Sequence, residues 1–140
     1  MRPLPGLNDA LFDSSNSYRE PTLSTKYLVS LVNYNGKDKV EMIDRETRKR
    51  IPLPGLNRAD SQPISISISS NGDRLALIRQ RSDKTELLLY RRKVGTMQQI
   101  ELIPKGIPRR VSLDSSGRLL AVQVSRDGRW DVEVIRLRGS

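Results

Sequence analysis

The chain has 140 residues, enough for one domain with a sizeable core, and it contains neither Cys nor His. Disulfides, zinc clusters, thiolate nucleophiles and imidazole-based triads are therefore excluded. Hydrophobic content is 36% and aromatic content is 4%, which predicts a core of Leu, Ile and Val with Trp130 as its single large ring. The formal net charge is +9, of which residues 61–140 contribute +7, from 15 Lys and Arg against 8 Asp and Glu.

A basic surface of this kind attracts acidic proteins, anionic lipids or glycans, and nucleic acids. A soluble basic protein without an anionic partner is an equally good interpretation. No apolar stretch approaches the ~18 residues of a membrane helix, and the start lacks the charged-then-apolar pattern of a signal peptide. Residues 1–5 fit either a natural start or the start of a processed chain, and the lack of Cys leaves the compartment open.

The first 18 residues are predicted to be an irregular N-terminal segment, apart from one phrase that occurs twice. Pro3–Asn8 reads PLPGLN, and Pro52–Asn57 reads the same. Its prolines confine the phrase to an edge strand or a strand end, and the second copy follows a hairpin directly. We predict that residues 49–53 form the outermost strand of their sheet and that residues 2–7 are a copy of such a strand.

Three successive segments then show the alternation and turn residues of short antiparallel strands. Asn35-Gly36 and Asp127-Gly128 predict type I′ hairpin turns, because these residue types tolerate positive φ. Between residues 64 and 69 Ile alternates with Ser, which predicts a strand with one apolar face. Strands are predicted at 21–23, 27–33, 39–44 and 49–53, at 64–69, 75–80, 86–90 and 97–103, and finally ending near 114, at 119–125 and at 130–137.

The three segments are copies of one another. Residues 111–137 align without a gap on residues 66–92 at an offset of 45, so that Gly117 matches Gly72, and residues 118–136 align on residues 26–44 at an offset of 92. Four short antiparallel strands per 40–50 residues are typical of a β-propeller blade, whereas a meander sandwich is the alternative that turn spacing allows. We predict an all-β fold in which residues 19–140 form three four-stranded antiparallel propeller blades, at about 19–57, 61–105 and 107–138.

Three blades do not close a ring, because propellers contain about four to eight. The third repeat lacks an outer strand, and residues 2–7 supply one. Two chains paired head to tail would complete each other's third blade and form a six-bladed ring, so we predict a homodimer through the N-terminal strand. The alternative is a curved three-blade monomer.

The phrase Ser-x-Asp-x-x-Gly, followed by Leu-Ala and a hairpin, resembles the TolB-type (WD-like) β-propeller repeat. The LPGLN phrase after the first hairpin resembles short cyanobacterial TolB-like proteins in particular. The resemblance covers about residues 19–138 and implies a six-bladed scaffold for protein–protein contact, commonly exported to the periplasm. The first repeat departs from the phrase, as does Ser69, which replaces its Asp. The likeness is carried by Ser112, Asp114, Gly117, Leu120, Ala121, Asp127, Gly128, Trp130, Asp131 and Val132, and by Ser67, Ser69, Gly72, Leu75, Ala76, Asp83, Glu86 and Leu87.

The sequence contains no phosphate loop, calcium loop or nucleotide fingerprint. Its acids lie mostly at hairpin tips and strand starts, where turn chemistry explains them, and the Ser and Asp of the repeat phrase are predicted to fix the turn. We therefore predict no enzyme activity, no cofactor and no metal site.

Basic clusters follow the third strand of each repeat, at corners that share one face of a propeller. Arg109 and Arg110, before the third repeat's first strand, are predicted to lie on the opposite side near the channel mouth. Solvated turns are the alternative explanation for all of them. The predicted partner-binding residues are Arg48, Lys49, Arg50, Arg91, Arg92, Lys93, Arg109, Arg110, Arg136 and Arg138.

The sequence thus indicates a non-enzymatic interaction scaffold with a basic face for an acidic protein or an anionic envelope surface. One alternative is non-specific nucleic-acid binding through the same clusters, which would depend almost entirely on phosphate contacts because aromatic stacking platforms are scarce. Another is glycan or lipid binding at the cell envelope. A periplasmic or envelope location follows from the resemblance alone, and a cytoplasmic one stays open.

Overall fold

The computed structural model describes residues 17–23 and 26–138, and this part of the chain is all β. It contains no helix with the length and apolarity needed to cross a membrane. The strands are β1 (Ser17–Leu23), β2 (Tyr27–Tyr34), β3 (Lys37–Asp44), β4 (Arg50–Ile51), β5 (Ser61–Ile68), β6 (Arg74–Arg81), β7 (Lys84–Arg91), β8 (Thr96–Ile100), β9 (Ile107–Leu113), β10 (Leu119–Arg126) and β11 (Arg129–Arg136).

The strands form three antiparallel sheets in which each strand pairs with its neighbours in sequence. We call β1–β4 blade 1, β5–β8 blade 2 and β9–β11 blade 3, which has three strands within the described residues. The predicted propeller blades and the three-stranded third repeat are confirmed. The predicted strands agree within a few residues, except that β1 begins at Ser17 and β4 contains only two residues.

The hairpin tips adopt the backbone conformations that the sequence predicts. Asn35 and Gly36 have φ values of 52° and 80°, and Asp127 and Gly128 have values of 48° and 76°. Positive φ at both central residues is the requirement of a type I′ turn, whose twist matches that of the flanking strands.

The blades stack in sequence order and bury two apolar layers. The first layer lies between blades 1 and 2, and the second lies between blades 2 and 3. Because alternate residues of a strand point to opposite faces, β6 contributes Leu75 and Leu77 to the first layer and Ala76 and Ile78 to the second. Blade 2 is therefore buried on both faces.

Ile66 and Ile68 form the predicted apolar face of β5, and the serines of its other face are buried as well. The Ser65 hydroxyl accepts a hydrogen bond from the Val111 N–H at 3.2 Å, and the Ser67 hydroxyl accepts one from the Leu113 N–H at 2.9 Å. These N–H groups belong to β9, the inner edge strand of blade 3. Buried hydrogen-bond donors of the main chain require an acceptor. The serine face of β5 therefore connects two blades.

The second PLPGLN copy is not an outer strand, contrary to the sequence prediction. β4 ends at Ile51, because the proline that follows has no N–H to continue the ladder. Leu56 is 2% exposed and belongs to the first apolar layer. The Asn57 carboxamide accepts from the Val40 N–H and donates to the Val40 C=O, both at 2.9 Å. The phrase thus fills the space between blades and caps the edge of β3, while the first copy lies outside the described residues.

Trp130 does not belong to the core, which corrects the composition-based prediction. It is 62% exposed on β11, where it pairs with Ser125 on the face that points away from blade 2. Among the residues whose burial is described, the largest fully buried side chain is Tyr90, in the first layer.

Candidate partner-binding groove

The ends of the first and third strands of each blade lie on the same side, because alternate strands of an antiparallel sheet run in the same direction. In blades 2 and 3 this side carries the turns 69–73 and 114–118 and the segments after β7 and β11. The Ser70 N–H donates to the Ser115 C=O at 2.8 Å and joins the two turns. These segments line an open groove between the blades, with a volume of about 1210 Å³.

Basic side chains dominate the lining of this groove. Its described lining contains five Lys and Arg against two Asp, a formal charge of +3. Lys93, Arg118, Arg136 and Arg138 are exposed, and none of the four forms an ion pair with a carboxylate of the described residues. A concave surface that carries one sign of charge concentrates the potential that attracts an oppositely charged partner.

The two carboxylates of the groove are used by the turns that form it. Asp114 accepts the Ser116 hydroxyl at 2.7 Å and the Leu119 N–H at 2.9 Å. These two hydrogen bonds lower the pKa of Asp114 below its ordinary value, because they stabilise the ionised form. Asp73 accepts the Lys93 N–H at 2.9 Å. The acids therefore shape the turns, as the sequence predicts for Asp114.

Arg74 lies at the base of the groove and connects blades 2 and 3. Its side chain is buried, with a residue exposure of 7%, and its two terminal nitrogens donate to the C=O groups of Gly117 at 2.7 Å and Arg138 at 2.8 Å. Carbonyl partners satisfy its donors without neutralising its charge. Arg74 therefore supports the positive potential of the groove from below.

Three of the predicted partner-binding residues meet in this groove, namely Lys93, Arg136 and Arg138. The fourth exposed cation, Arg118, is absent from the sequence prediction because it belongs to a turn phrase and not to a basic cluster. The repeat contained the information needed to find Arg118, because the turn after the first strand and the corner after the third strand lie on one side of a blade.

The other predicted residues after the third strands do not line the groove. The Arg92 guanidinium lies 5.0 Å from the centre of the Tyr27 ring, between blades 1 and 2. The Arg50 guanidinium pairs with Glu41 at 2.7 Å on the edge of blade 1. The corner of blade 1 also contains Arg48 and Lys49, and Arg91 ends β7.

Arg109 and Arg110 lie within β9, whereas the sequence analysis placed them before it. Their location near a channel mouth stays a prediction. β9 is the inner edge strand of blade 3, and a bulge beside Arg109 interrupts its register with β10. Both residues lie near the middle of β9, and neither lines the groove.

Solved structures share this arrangement of blades. TolB from Acinetobacter baumannii superposes with a TM-score of 0.64 at 17% identity, over 84% of this chain and 29% of that one. The β-propeller domain of the Trilobed protease from Pyrococcus furiosus superposes with a TM-score of 0.63 at 13% identity, over 86% of this chain and 39% of that one. The Cps50 (Swd1) β-propeller domain of Myceliophteria thermophila gives 0.54 at 15% identity, over 87% and 40%. The chain therefore has a TolB-like, WD-like β-propeller fold.

No protein-family model and no curated protein matches the sequence. At identities of 13–17% the structural likeness shows the fold alone, and this chain spans 29–40% of the length of those structures. The same fold occurs in a protease, so it does not decide whether this chain is an enzyme. The likeness to short cyanobacterial proteins is not tested by these structures and stays a prediction.

Proposed function

We propose that the protein is a non-enzymatic interaction scaffold that binds an acidic segment of a partner protein in the groove between blades 2 and 3. The observation that carries this proposal is the set of four exposed cations, Lys93, Arg118, Arg136 and Arg138, in one concave site whose own acids are used by turns. Guanidinium groups match carboxylates in bidentate geometry, so three exposed arginines in one groove suit an acidic peptide.

The lining of the groove favours an acidic protein over a single-stranded nucleic acid. Among the residues that the structure describes, no aromatic side chain lines it. Sequence-tolerant binding of single strands relies on stacking of bases on aromatic rings. The resemblance to TolB supports a periplasmic or envelope location for the partner. An anionic lipid or glycan presents the same charges and is distinguished by experiment.

The test compares two variants of equal charge. Arg118→Glu/Arg136→Glu reverses two cations of the groove, and Lys84→Glu/Arg129→Glu reverses two exposed cations at hairpin tips on the opposite side of the blades. Binding to a fluorescent poly-glutamate peptide is measured by anisotropy at several salt concentrations. We expect the groove variant to weaken binding by at least ~10-fold and the control by no more than ~2-fold.

Equal losses in both variants would contradict a localised site, because net charge alone would then explain binding. Oligonucleotides and anionic vesicles serve as competing probes in the same assay. Tighter binding of DNA than of the peptide would favour the nucleic-acid alternative, and tighter binding of vesicles would favour the envelope surface.

A further inference from the structure

The face of blade 3 that points away from blade 2 is apolar and exposed. Trp130, Val132 and Val134 alternate along β11 and are 62%, 69% and 66% exposed, while Leu119, which begins β10, is 41% exposed. Alternation places the three β11 side chains on one face. We call these four residues the outer face of blade 3.

Two valines of the outer face occupy positions that the other blades bury against the next blade. An offset of 92 equates Val132 and Val134 with Val40 and Met42 of blade 1, which are 4% and 0% exposed in the layer against blade 2. Within residues 17–23 and 26–138, no sheet covers the outer face. At the offset of 45 the blade 2 counterparts are Leu87 and Leu89, 2% and 5% exposed in the layer against blade 3.

The main-chain edge of β11 is open at the same place. Val132 pairs with Gln123 as Val40 pairs with Leu31, in the same register. The N–H and C=O of Val132 and of Val40 therefore point away from the second strand of their own blade. In blade 1 the Asn57 carboxamide satisfies both groups. Within the described residues, β11 pairs with β10 alone, and the main-chain N–H and C=O of Val132 have no hydrogen-bond partner.

The chain carries a second copy of the phrase that performs this task between blades 1 and 2. We propose that the outer face of blade 3 binds a second copy of this chain, whose Pro3–Asn8 enters the interface as Pro52–Asn57 does between blades 1 and 2. Leu7 of the second copy takes the place of Leu56, and its Asn8 caps Val132. This mode replaces the predicted strand addition, because the structure shows how the phrase packs.

Blade 1 also has apolar side chains that do not pack against blade 2. Leu28, Val32 and Ile43 are at most 5% exposed and belong to neither apolar layer. An offset of 92 equates Leu28 and Val32 with Leu120 and Val124, which blade 3 packs against its preceding blade. Blades 1 and 3 flank blade 2, so blade 1 of the same chain does not face β11.

Reciprocal contacts between two copies would give two identical interfaces and a ring of six blades, within the range in which propellers close. The first test is the mass of the 140-residue chain in solution, by analytical ultracentrifugation over a concentration series. We expect a species of twice 15.9 kDa. A chain that stays monomeric at high micromolar concentration would overturn the proposal.

A matched pair of variants locates the interface. Val132→Glu and Val94→Glu change side chains that are 69% and 67% exposed, so neither should unfold the protein, which circular dichroism checks. Only Val132 lies on the outer face. We expect Val132→Glu to raise the dimer Kd at least ~100-fold, because it buries an unpaired carboxylate, and Val94→Glu to leave it unchanged. An unaltered dimer in Val132→Glu contradicts the proposal.

Cross-linking identifies the segment that binds there, and the absence of native Cys makes single-cysteine variants specific. Asn8→Cys and Val132→Cys chains are mixed and treated with a short bismaleimide. We expect a covalent dimer in the mixture and little in either variant alone. Cross-linking of Val132→Cys with itself would show edge-to-edge pairing of β11, and this result would overturn the assignment of Pro3–Asn8 as the occupant.

Discussion

At the scale of single residues, two glycines of the repeat have two separate tasks. Gly72 and Gly117 adopt φ values of +75° and +76° in the turns after β5 and β9, and each also faces a side chain of the preceding blade. A Cβ on Gly72 would lie 2.3 Å from the Tyr27 ring, and one on Gly117 would lie 3.0 Å from Arg74 Cδ. The repeat therefore retains Gly for close inter-blade contact as well as for the turn.

Gly72→Ala and Gly36→Ala separate these two contributions. Both positions have positive φ, but nothing lies within 4 Å of a Cβ on Gly36. We expect Gly36→Ala to cost about 1 kcal/mol of unfolding free energy from backbone strain and Gly72→Ala to cost about 1–3 kcal/mol more from overpacking against Tyr27. Urea unfolding followed by circular dichroism measures both, and equal losses would contradict the close contact.

The carboxylate of Asp114 makes the stability of its turn depend on pH. Hydrogen bonds from the Ser116 hydroxyl and the Leu119 N–H lower its folded-state pKa from the ordinary value of 3.8. The stabilisation is therefore fully present above the unfolded pKa and is lost as pH falls below about 3.8 through the folded pKa.

Asp114→Asn removes this titrating contribution while keeping an oxygen acceptor. We expect the variant to be less stable than the wild type at neutral pH, and the difference to shrink as the pH falls below about 3.8. Thermal unfolding at a series of pH values is the measurement. A difference that stays constant down to the lowest pH at which the protein folds would show that the charge of Asp114 has no part in it.

At the scale of elements, the connection between blades matters as much as the strands. The segment after β4 buries Leu56 in the first layer, and the Tyr90 hydroxyl of blade 2 donates to the Pro54 C=O at 2.7 Å. Asn57 meanwhile bonds to β3 of blade 1. One short phrase thus contacts both of the blades that it separates.

Leu56→Ala tests whether this connection contributes to stability. We expect a loss of about 2–5 kcal/mol, because Leu56 is 2% exposed and its truncation leaves a cavity between the blades. Val94→Ala, at a site that is 67% exposed, should change stability by no more than about 0.5 kcal/mol. Comparable effects in a denaturant titration would indicate that the phrase contributes only as a linker.

At the scale of the whole molecule, the blades form a row, and each apolar layer is buried only where a blade covers it on both sides. The layers between blades 1 and 2 and between blades 2 and 3 are complete, and the outer face of blade 3 shows a third layer with one side exposed. Exposed apolar positions that are aligned on one face, and not scattered, mark an interaction surface.

Hydrogen exchange of single amides reports on this third layer. Val40 and Val132 are equivalent positions, and the Val40 N–H is bonded to Asn57. In the variant Val134→Glu, which places a charge in the proposed interface, we expect the Val132 amide to exchange at least ~10-fold faster than in the wild type, while Val40 keeps its protection. NMR exchange rates measure both, and a Val132 amide that exchanges freely in the wild type would contradict the closed ring.

The sequence by itself determined the blades. The signals were period-2 alternation, the Asn-Gly and Asp-Gly tips and the 45-residue offset. They depend on local backbone preferences and on which strand faces are apolar. Both are properties of short segments. These signals also predicted three strands for the third repeat, the number that the structure describes there. The offset placed Lys93, Arg136 and Arg138 on one side of the fold for the same reason.

Only the tertiary structure decided what the phrases between strands do. The prolines of PLPGLN predict an edge strand or a strand end, whereas in the structure residues 54–56 form a turn and Leu56 packs between blades. The serines of β5 resemble a solvent face until β9 lies against them, and Arg118 joins the groove only once two turns are adjacent. Trp130 is exposed because burial depends on a neighbouring blade, and a strand's own pattern does not specify whether that neighbour is present.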